Sequence, residues 1–483
     1  MVRYFLDPFG CAKNQVDAEM MMARLERAGW IAADDAEDAD LIIVNSCGFI
    51  EAAKRESINA VLAWRNRYPE KKILLTGCLA QRYGAELGAE LTEVDGLLGS
   101  AELDQIAVKA AELGPPPAKG GPPSAGHPWP DISGGRPLLG FPGSAYVKIS
   151  EGCDNRCSFC AIPLIRGPLR CRTIPGILAE CRVLLERGIK ELCLIGQDLA
   201  SYKPGPSGEV PVETAGQSGL AALLRGIAAL PGDFWVRLLY LHPDHFPLDI
   251  LGILREDRRF LPYFDIPFQH ASPPLLKTMG RRGGGGVYLR LLDTIRAQLP
   301  GAVIRSTLLA GFPGETEEDF AQLLAFQERA RFDWLGVFAY SREEGTAAYS
   351  LKNRVSKKTA ALRKALLEER QVPITEEGMD RFVGRTLEAL IEEELPAPMG
   401  DQEGSPPRAP DQPSGGLWLG RLFCHAPEVD GAAVIGRKAP LLDGRPSGGP
   451  ETPGTGPGPS LKPGTLVRGR VTARAGFDLR VEV

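Results

Sequence analysis

Short apolar runs alternate with longer segments of helical spacing near the start of the chain. The runs are Tyr4–Leu6, Leu41–Val44 and Ile73–Leu75, and the helical segments include Asp17–Ala28 and Ala52–Tyr68. Strands that alternate with helices are typical of a parallel sheet with helices on both faces. We therefore predict an α/β fold that begins with a doubly wound parallel sheet over residues 1–113.

Six more strand candidates follow in the central part of the chain. They begin at Tyr146, Leu192, Trp235, Phe264, Val303 and Trp334. Most of the intervals leave room for a helix, so the pattern is a β/α series of six units. Six units are too few for a closed eight-unit barrel, and we predict an open, partial (β/α)6 barrel over residues 139–372. A charged helix at Lys357–Gln371 ends this part.

The last part of the chain holds five short strand candidates separated by glycines. They are Thr386–Glu393, Leu417–Phe423, Ala432–Ile435, Leu466–Thr472 and Phe477–Val483. This pattern predicts a small antiparallel β-barrel over residues 373–483.

Three stretches are rich in Pro and Gly and have no apolar periodicity. They are Gly114–Gly143, Pro396–Gly416 and Asp443–Gly464. So little apolar burial cannot offset the cost of ordering the backbone. We therefore predict a linker at residues 114–138 and two long inserts in the C-terminal barrel.

Composition narrows the class of protein. Hydrophobic residues make up 43% and charged residues 24% of the chain, which is ordinary for a globular protein. The sequence shows neither a signal peptide nor an apolar run of bilayer length, so we expect a cytoplasmic protein without a membrane contact. In that reducing compartment the 10 cysteines are expected to be free thiols or metal ligands rather than disulfides.

The first cysteine set consists of Cys153, Cys157 and Cys160, spaced C-x3-C-x2-C directly after a predicted strand. Thiolates are the usual ligands of iron–sulfur clusters. Three ligands on a cubane cluster leave the fourth iron open, and an open metal position can bind a substrate. The spacing predicts such a cluster; a zinc knuckle that lacks its fourth ligand is the alternative.

The second set consists of Cys11, Cys47 and Cys78, each of which follows one of the three N-terminal apolar runs. The carboxyl ends of parallel strands share one edge of a sheet, where ligands bind. The three thiols are therefore predicted to converge on a second metal site. The alternative is three independent buried cysteines, since a free cysteine packs as a small hydrophobe.

Several motifs resemble one known family. The C-x3-C-x2-C loop is similar to that of the radical S-adenosylmethionine superfamily, and the additional N-terminal cysteines are similar to those of the methylthiotransferases. Within these, GCAKNQVDAE at Gly10–Glu19 resembles the RimO branch. Further resembling segments are Arg156–Gly167, Leu194–Asp198, Asp265–Ser272, Gly311–Phe320, Ala339–Ala348, His425–Gly431 and Phe477–Val483, the last two in a TRAM domain. Ala12, Cys171 and His425 stand where the family usually has Pro, Ser and Asp.

The resemblance implies an enzyme that adds a methylthio group to the β-carbon of an aspartate in small-subunit ribosomal protein twelve, free or in the 30S subunit. It implies two [4Fe–4S] clusters, of which the one on Cys153, Cys157 and Cys160 binds S-adenosylmethionine. The cluster on Cys11, Cys47 and Cys78 would carry the sulfur. S-adenosylmethionine would be both radical source and methyl donor, and an electron donor such as flavodoxin or ferredoxin would reduce the clusters. Independently of the resemblance, we expect a monomer as the simplest oligomeric state.

Two loops are predicted to contact S-adenosylmethionine, since glycine lets the backbone approach a ligand closely. They follow the second and fifth strands of the central part and consist of Gly196, Gln197 and Asp198, and of Gly311, Phe312, Pro313 and Gly314. For the second loop, a tight turn that caps a helix is an equally good interpretation, and both can hold at once.

Two other functions stay open at this point. One is a tRNA adenosine methylthiotransferase of the MiaB type, with the same clusters. The other is a non-catalytic iron–sulfur regulator whose barrel binds RNA. Lys13 and Asn14, which follow Cys11, favour the ribosomal-protein branch. The net charge of −5 also favours a basic protein substrate over a nucleic acid.

Overall fold

A computed structural model describes residues 2–114, 135–204, 217–396, 416–437 and 461–483. Most of the three Pro/Gly-rich stretches, and with them most of the predicted linker and inserts, lie outside these residues. The described chain forms a parallel sheet, an open barrel and a closed barrel. Among the described helices, none is both long and apolar enough to cross a membrane.

The N-terminal sheet has five parallel strands in the order β2-β1-β3-β4-β5. Its strands are β1 (Arg3–Pro8), β2 (Ile31–Ala32), β3 (Leu41–Ser46), β4 (Lys72–Gly77) and β5 (Gly96–Gly99), and its helices are α1 (Ala12–Arg27), α2 (Glu51–Arg67), α3 (Cys78–Glu90) and α4 (Ile106–Leu113). Alternate residues of β3 face opposite ways: Leu41 packs in one buried cluster with α1 and α4, and Ile42 in another with α2 and α3. Helices on both faces confirm the predicted doubly wound sheet.

The central part is an open sheet of six parallel strands in the order β13-β12-β11-β10-β9-β6. These strands are β6 (Ser144–Lys148), β9 (Glu191–Ile195), β10 (Trp235–Leu238), β11 (Phe260–Asp265), β12 (Val303–Ala310) and β13 (Trp334–Ala339), and a small hairpin pairs β7 (Ser150–Glu151) with β8 (Arg170–Cys171). The helices are α5 (Ile162–Arg166), α6 (Ile174–Glu186), α7 (Gly219–Ala228), α8 (Ile250–Glu256), α9 (Pro273–Thr278), α10 (Gly285–Gln298), α11 (Glu317–Ala330) and α12 (Lys357–Asp380). The predicted partial barrel is confirmed.

The C-terminal part is a closed barrel in the order β14-β15-β16-β18-β17. Its strands are β14 (Thr386–Leu395), β15 (Leu417–Leu422), β16 (Ala433–Gly436), β17 (Leu466–Ala475) and β18 (Asp478–Glu482). Four neighbouring pairs are antiparallel, as predicted, and the pair β16–β18 that closes the barrel is parallel.

The inner face of the open sheet is shared by all three parts of the fold. Side chains such as Val147 point outward and pack against the surrounding helices. Their neighbours Tyr146 and Cys193 point inward, where one buried cluster also includes Val16 of α1 and Ala426 of the C-terminal part. An eight-unit barrel would enclose this inner face within its own strands. In this open barrel, helix α1 and the segment after β15 cover it instead.

Helix α12 is longer than the sequence predicts. The predicted helix ended at Gln371, before a proline, but α12 continues to Asp380 with Pro373 in its interior. Proline is disfavoured in the interior of a helix because it has no backbone N–H to donate. Buried Leu367, Ile374 and Met379 hold the helix on both sides of the proline. The division placed between residues 372 and 373 thus falls inside one helix, and the domain limits stay a prediction.

Candidate metal centre

Cys153, Cys157 and Cys160 lie together on the loop between β7 and α5. The backbone N–H of Cys153 donates to Gly167 O (3.1 Å), and that of Cys160 donates to Cys157 O (3.1 Å). Burial, followed by the negative charges of the Cys157 and Cys153 thiolates, raises the pKa of Cys160 to about 12. The loop therefore brings the three thiols within electrostatic reach of one another.

Cys11, Cys47 and Cys78 converge from three separate strands, as the topology predicts. Cys11 directly precedes α1, Cys47 follows β3, and Cys78 is the first residue of α3. Burial, and then the nearby Cys78 and Cys11 thiolates, raise the pKa of Cys47 to about 11. A Cβ on Gly48 would lie 2.8 Å from the backbone of Cys78, so glycine is needed where these loops meet.

The three free thiols of each set have the chemistry that an iron–sulfur cluster requires of its ligands. In the described residues, no group of three His, Cys, Asp or Glu side chains is arranged to hold a single metal ion. A cubane cluster makes a different demand, because each thiolate binds its own iron. That either set holds a cluster stays a prediction. All six are free.

Arg166 contacts the N-terminal cysteine set although it follows Cys160 in the sequence, and no motif predicted this contact. It ends α5, which follows Cys160, and its Nη2 donates to Cys78 Sγ at 3.0 Å. The same nitrogen donates to Asn14 Oδ1 at 2.5 Å, and the Cys78 thiol donates to that oxygen at 3.2 Å. The guanidinium therefore places a positive charge beside a thiol of the N-terminal set.

Asn14 fixes the edge of the N-terminal sheet. Its Nδ2 donates to the carbonyl of Phe9 (3.0 Å), directly after β1, and to that of Ser46 (2.9 Å), the last residue of β3. Asn45 Nδ2 in turn donates to Asn14 O at 2.8 Å. One side chain thus holds the two loops that carry Cys11 and Cys47, which gives the Asn of the GCAKN motif a structural role.

A buried acidic pair balances the positive charges behind the two sets. Asp17 of α1 accepts from Arg166 Nη1 at 2.5 Å and also pairs with Lys148. Lys148 Nζ lies 2.7 Å from a Glu151 carboxylate oxygen. Burial works to raise the pKa of Glu151, but Lys148 and Arg166 outweigh it and lower the pKa to about 2.

The loop after β9 lies beside the first cysteine set. Gln197 Nε2 donates to Glu151 Oε1 at 2.7 Å. Asp198 accepts from Asn155 Nδ2, in the cysteine loop, at 2.8 Å, and from His245 Nε2 at 2.7 Å. Burial opposes ionisation, but the hydrogen bonds from His245 and Ser201 keep the pKa of Asp198 well below its usual range. A carboxylate therefore adjoins Cys153–Cys160.

The loop after β12 is held within the fold. Gly311 has a φ of +79°, and a Cβ there would overlap the Cβ of Ala360 on α12. The buried Glu315 carboxylate accepts from the Gly311 N–H and pairs with Arg363 at 3.1 Å. Thr316 and Asp319 then form a capping box at the start of α11. These contacts fit the helix-capping interpretation, and contact of this loop with S-adenosylmethionine stays a prediction.

Two of the three departures from the family pattern, Ala12 and His425, are buried, and Cys171 is partly exposed. Ala12 is buried in the shared inner cluster, and Cys171 Sγ accepts from the Lys203 N–H at 3.3 Å. His425 is fully buried, with its ring centre 5.8 Å from that of Trp334. His425 therefore packs in the interior rather than on a partner-binding surface.

Comparisons with known proteins agree with this arrangement. Residues 147–326 match the family model described as the radical SAM superfamily, and residues 3–99 match an uncharacterized protein family, UPF0004. The fold is similar to that of the radical S-adenosylmethionine methyltransferase TsrM from Kitasatospora setae (TM-score 0.52, 15% identity, 72% of this chain and 75% of that one). Fold and cysteine loop thus define a radical S-adenosylmethionine enzyme, a class that uses a [4Fe–4S] cluster and S-adenosylmethionine.

Relatives of known name narrow the class further. The ribosomal protein uS12 methylthiotransferase RimO of Treponema denticola is 44% identical over 98% of this chain and 99% of its own. The protein of that name from Thermotoga maritima is 38% identical over 92% of this chain and 96% of its own. The chain belongs to the RimO family of methylthiotransferases, which confirms the resemblance drawn from the motifs.

Proposed function

We propose that this protein adds a methylthio group to the β-carbon of an aspartate in ribosomal protein uS12, free or in the 30S subunit. The observation that carries the proposal is the presence of two cysteine sets in a chain whose relatives bear the uS12 methylthiotransferase name. The buried Arg166 contacts Cys78 of the N-terminal set. A ribosomal substrate implies a cytoplasmic enzyme. We further propose a monomer that is reduced by a flavodoxin or ferredoxin.

The six cysteines are the proposed cluster ligands. Cys153, Cys157 and Cys160 would hold the cluster that binds S-adenosylmethionine, and Cys11, Cys47 and Cys78 the second one. Cluster-bound S-adenosylmethionine supplies the radical chemistry that an unactivated carbon requires, and a second molecule supplies the methyl group.

The chain's own part is to orient these groups and to keep water out. Arg166 and Asn14 surround Cys78 with hydrogen-bonding groups, and both side chains are buried. Asp17 and Glu151 neutralise the positive charges behind them. A dry, charge-balanced wall of this kind strengthens electrostatic interactions and suppresses side reactions with solvent.

Iron content tests the cluster assignment. Anaerobically reconstituted wild type should hold about eight irons per chain, and a triple alanine variant of either cysteine set about four. Cys171→Ser, outside both sets, serves as the matched control and should match wild type. About four irons in wild type, lost entirely with Cys153, Cys157 and Cys160, would leave the N-terminal set without a cluster.

Methyl transfer tests the substrate. Labelled S-adenosylmethionine should label uS12 or 30S subunits and leave tRNA unlabelled. Labelling of tRNA alone would instead establish the tRNA alternative. A loaded protein that cleaves no S-adenosylmethionine after reduction would be the non-catalytic regulator.

A further inference from the structure

Exposed cations adjoin the loop that carries the first cysteine set. Arg156 belongs to the loop itself, Lys277 lies in the last turn of α9, and Arg282 follows that helix; all three residues are exposed. The Ser158 N–H, in the cysteine loop, donates to Met279 O at 3.0 Å. The segment that carries Lys277 and Arg282 is therefore bound directly to the cysteine loop.

A second segment with an exposed cation lies against the same loop. The Ala348 N–H donates to Ser158 O at 2.8 Å. Next to Ala348, the ring of Tyr349 lies 3.7 Å from the Arg342 guanidinium, whose Nε donates to the Tyr349 carbonyl at 2.9 Å. Arg342 is exposed. We refer to Arg156, Lys277, Arg282 and Arg342 together as the basic patch.

The basic patch has few balancing charges. None of its four cations forms an ion pair with a carboxylate among the described residues. Asp154 and Glu344 are exposed nearby, and the half-buried Asp244 accepts from the backbone N–H of Arg282 at 2.7 Å. The chain as a whole has a net charge of −5, so an excess of cations distinguishes this face from the rest of the protein. Such a face attracts an acidic partner.

An apolar side chain beside the basic patch completes the features of a protein interface. Leu164 of α5 lies four residues after Cys160 and is 49% exposed. A Cβ on Gly345 would lie 2.8 Å from its Cδ1, so Leu164 adjoins the segment that carries Arg342. Protein interfaces typically combine apolar contacts with a polar rim, and arginine is enriched in them.

We infer that the basic patch binds the acidic protein that reduces the first cluster, an inference that rests on the proposed function. One electron leaves the donor and enters the cluster, and no bond is made or broken. Because the patch is built on the loop of the proposed cluster ligands, a protein bound there brings its redox centre close to that cluster. The patch favours a small acidic redox protein such as flavodoxin, whereas it would repel a basic substrate such as uS12.

Stopped-flow reduction of the reconstituted enzyme tests this surface. Reduced flavodoxin is mixed with wild type and with the double variant Lys277→Glu/Arg282→Glu, and the loss of cluster absorbance is followed. Charge complementarity raises association rates about 10- to 1,000-fold at low salt, so the variant should be reduced at least ~10-fold more slowly. At about 1 M salt the Debye length falls to roughly 3 Å, and the difference should shrink below about threefold.

A matched control makes the same change of charge elsewhere. Arg468→Glu/Arg470→Glu reverses two exposed arginines of β17 in the C-terminal barrel and should leave the rate of reduction by flavodoxin unchanged. Photoreduced 5-deazariboflavin, which is small and uncharged, should reduce all of these proteins equally and thereby shows that the cluster is intact. Lys277→Gln/Arg282→Gln should give an intermediate rate with flavodoxin, and it decides the question if the reversed variant holds less iron.

Three results would overturn the inference. The first is an equal rate with flavodoxin in wild type and in the patch variants at low salt. The second is a wild type that 5-deazariboflavin reduces and flavodoxin does not. The third is weaker binding of 30S subunits by the patch variants at an unchanged rate of reduction, which would make the patch a surface for ribosomal RNA.

The proposed function fails in a different way. The reduction assay contains no uS12, so its result does not depend on the substrate. A wild type that flavodoxin reduces normally but that transfers no methylthio group to uS12 would overturn the proposed function alone.

Discussion

At the scale of single residues, the sequence predicts the cysteine sets but does not predict the buried polar residues around them. The spacing of Cys153, Cys157 and Cys160 is local, so it is visible in one segment. Arg166 and Asp17 are far apart in sequence and meet only in the folded chain, at 2.5 Å. A charged residue in a sequence ordinarily indicates a solvated surface. Nothing in either segment alone distinguishes these two from exposed residues.

Arg166→Met should destabilise the apoprotein strongly. The substitution leaves Asp17 with Lys148 alone and removes the hydrogen-bond donor to Cys78. Removing one partner of a buried ion pair costs about 3–5 kcal/mol. Urea unfolding of the apoprotein measures the loss. Arg258→Met is the control: Arg258 is 74% exposed and its pairs lie at the surface, so it should cost about 1 kcal/mol or less. Equal losses of stability in the two variants would show that the buried Arg166–Asp17 pair stabilises the fold no more than a surface pair does.

At the scale of elements, the alternation of apolar runs and helical segments foretold the parallel sheet and the open barrel. The exceptions have physical causes. Strand β2 has two residues, both exposed, so it carries no apolar pattern. Helix α12 passes through Pro373 because tertiary burial outweighs the missing hydrogen bond. The parallel β16–β18 pair depends on the closure of the barrel and not on either strand.

Two glycines of one loop should respond differently to alanine. Gly311 and Gly314 both have positive φ, at +79° and +90°. A Cβ on Gly311 would overlap Ala360 of α12, whereas nothing lies within 4 Å of a Cβ on Gly314. Gly314→Ala should therefore cost about 1–2 kcal/mol of backbone strain. Gly311→Ala should cost about 1–3 kcal/mol more from overpacking, in the same unfolding measurement. Equal costs would contradict the close packing of this loop on α12.

At the scale of the whole molecule, buried charges fasten the closed barrel to the open one. Arg421 of β15 lies 2.5 Å from Glu191 and 2.6 Å from Glu392. Arg237 of β10 lies 2.8 Å from Glu191. Burial works to raise the pKa of Glu191, but Arg421 and Arg237 lower it to about 2. The sequence predicted the open barrel and the closed barrel, but it did not predict that these buried ion pairs connect them.

Glu191→Gln should remove a pH-dependent part of the stability. The pKa of Glu191 is 4.5 ordinarily and about 2 in the folded chain, so its contribution is complete above about pH 4.5. It is on the order of 3 kcal/mol and is lost as the pH falls towards 2. The stability difference between wild type and variant should therefore shrink over that interval in urea titrations. A difference for Glu191→Gln that stays constant over this interval would refute the assignment.

The inner cluster that joins α1, the open sheet and the segment after β15 limits how such a protein can be recombined. Val16, Cys193 and Ala426 belong to it, although they come from three parts of the chain. A chimera that takes its C-terminal barrel from a relative would set unmatched side chains into this shared interior. Such a chimera should therefore fold only when the contacting residues of α1 and of the inner strands come from the same relative as the barrel. The three parts must then be exchanged as one unit.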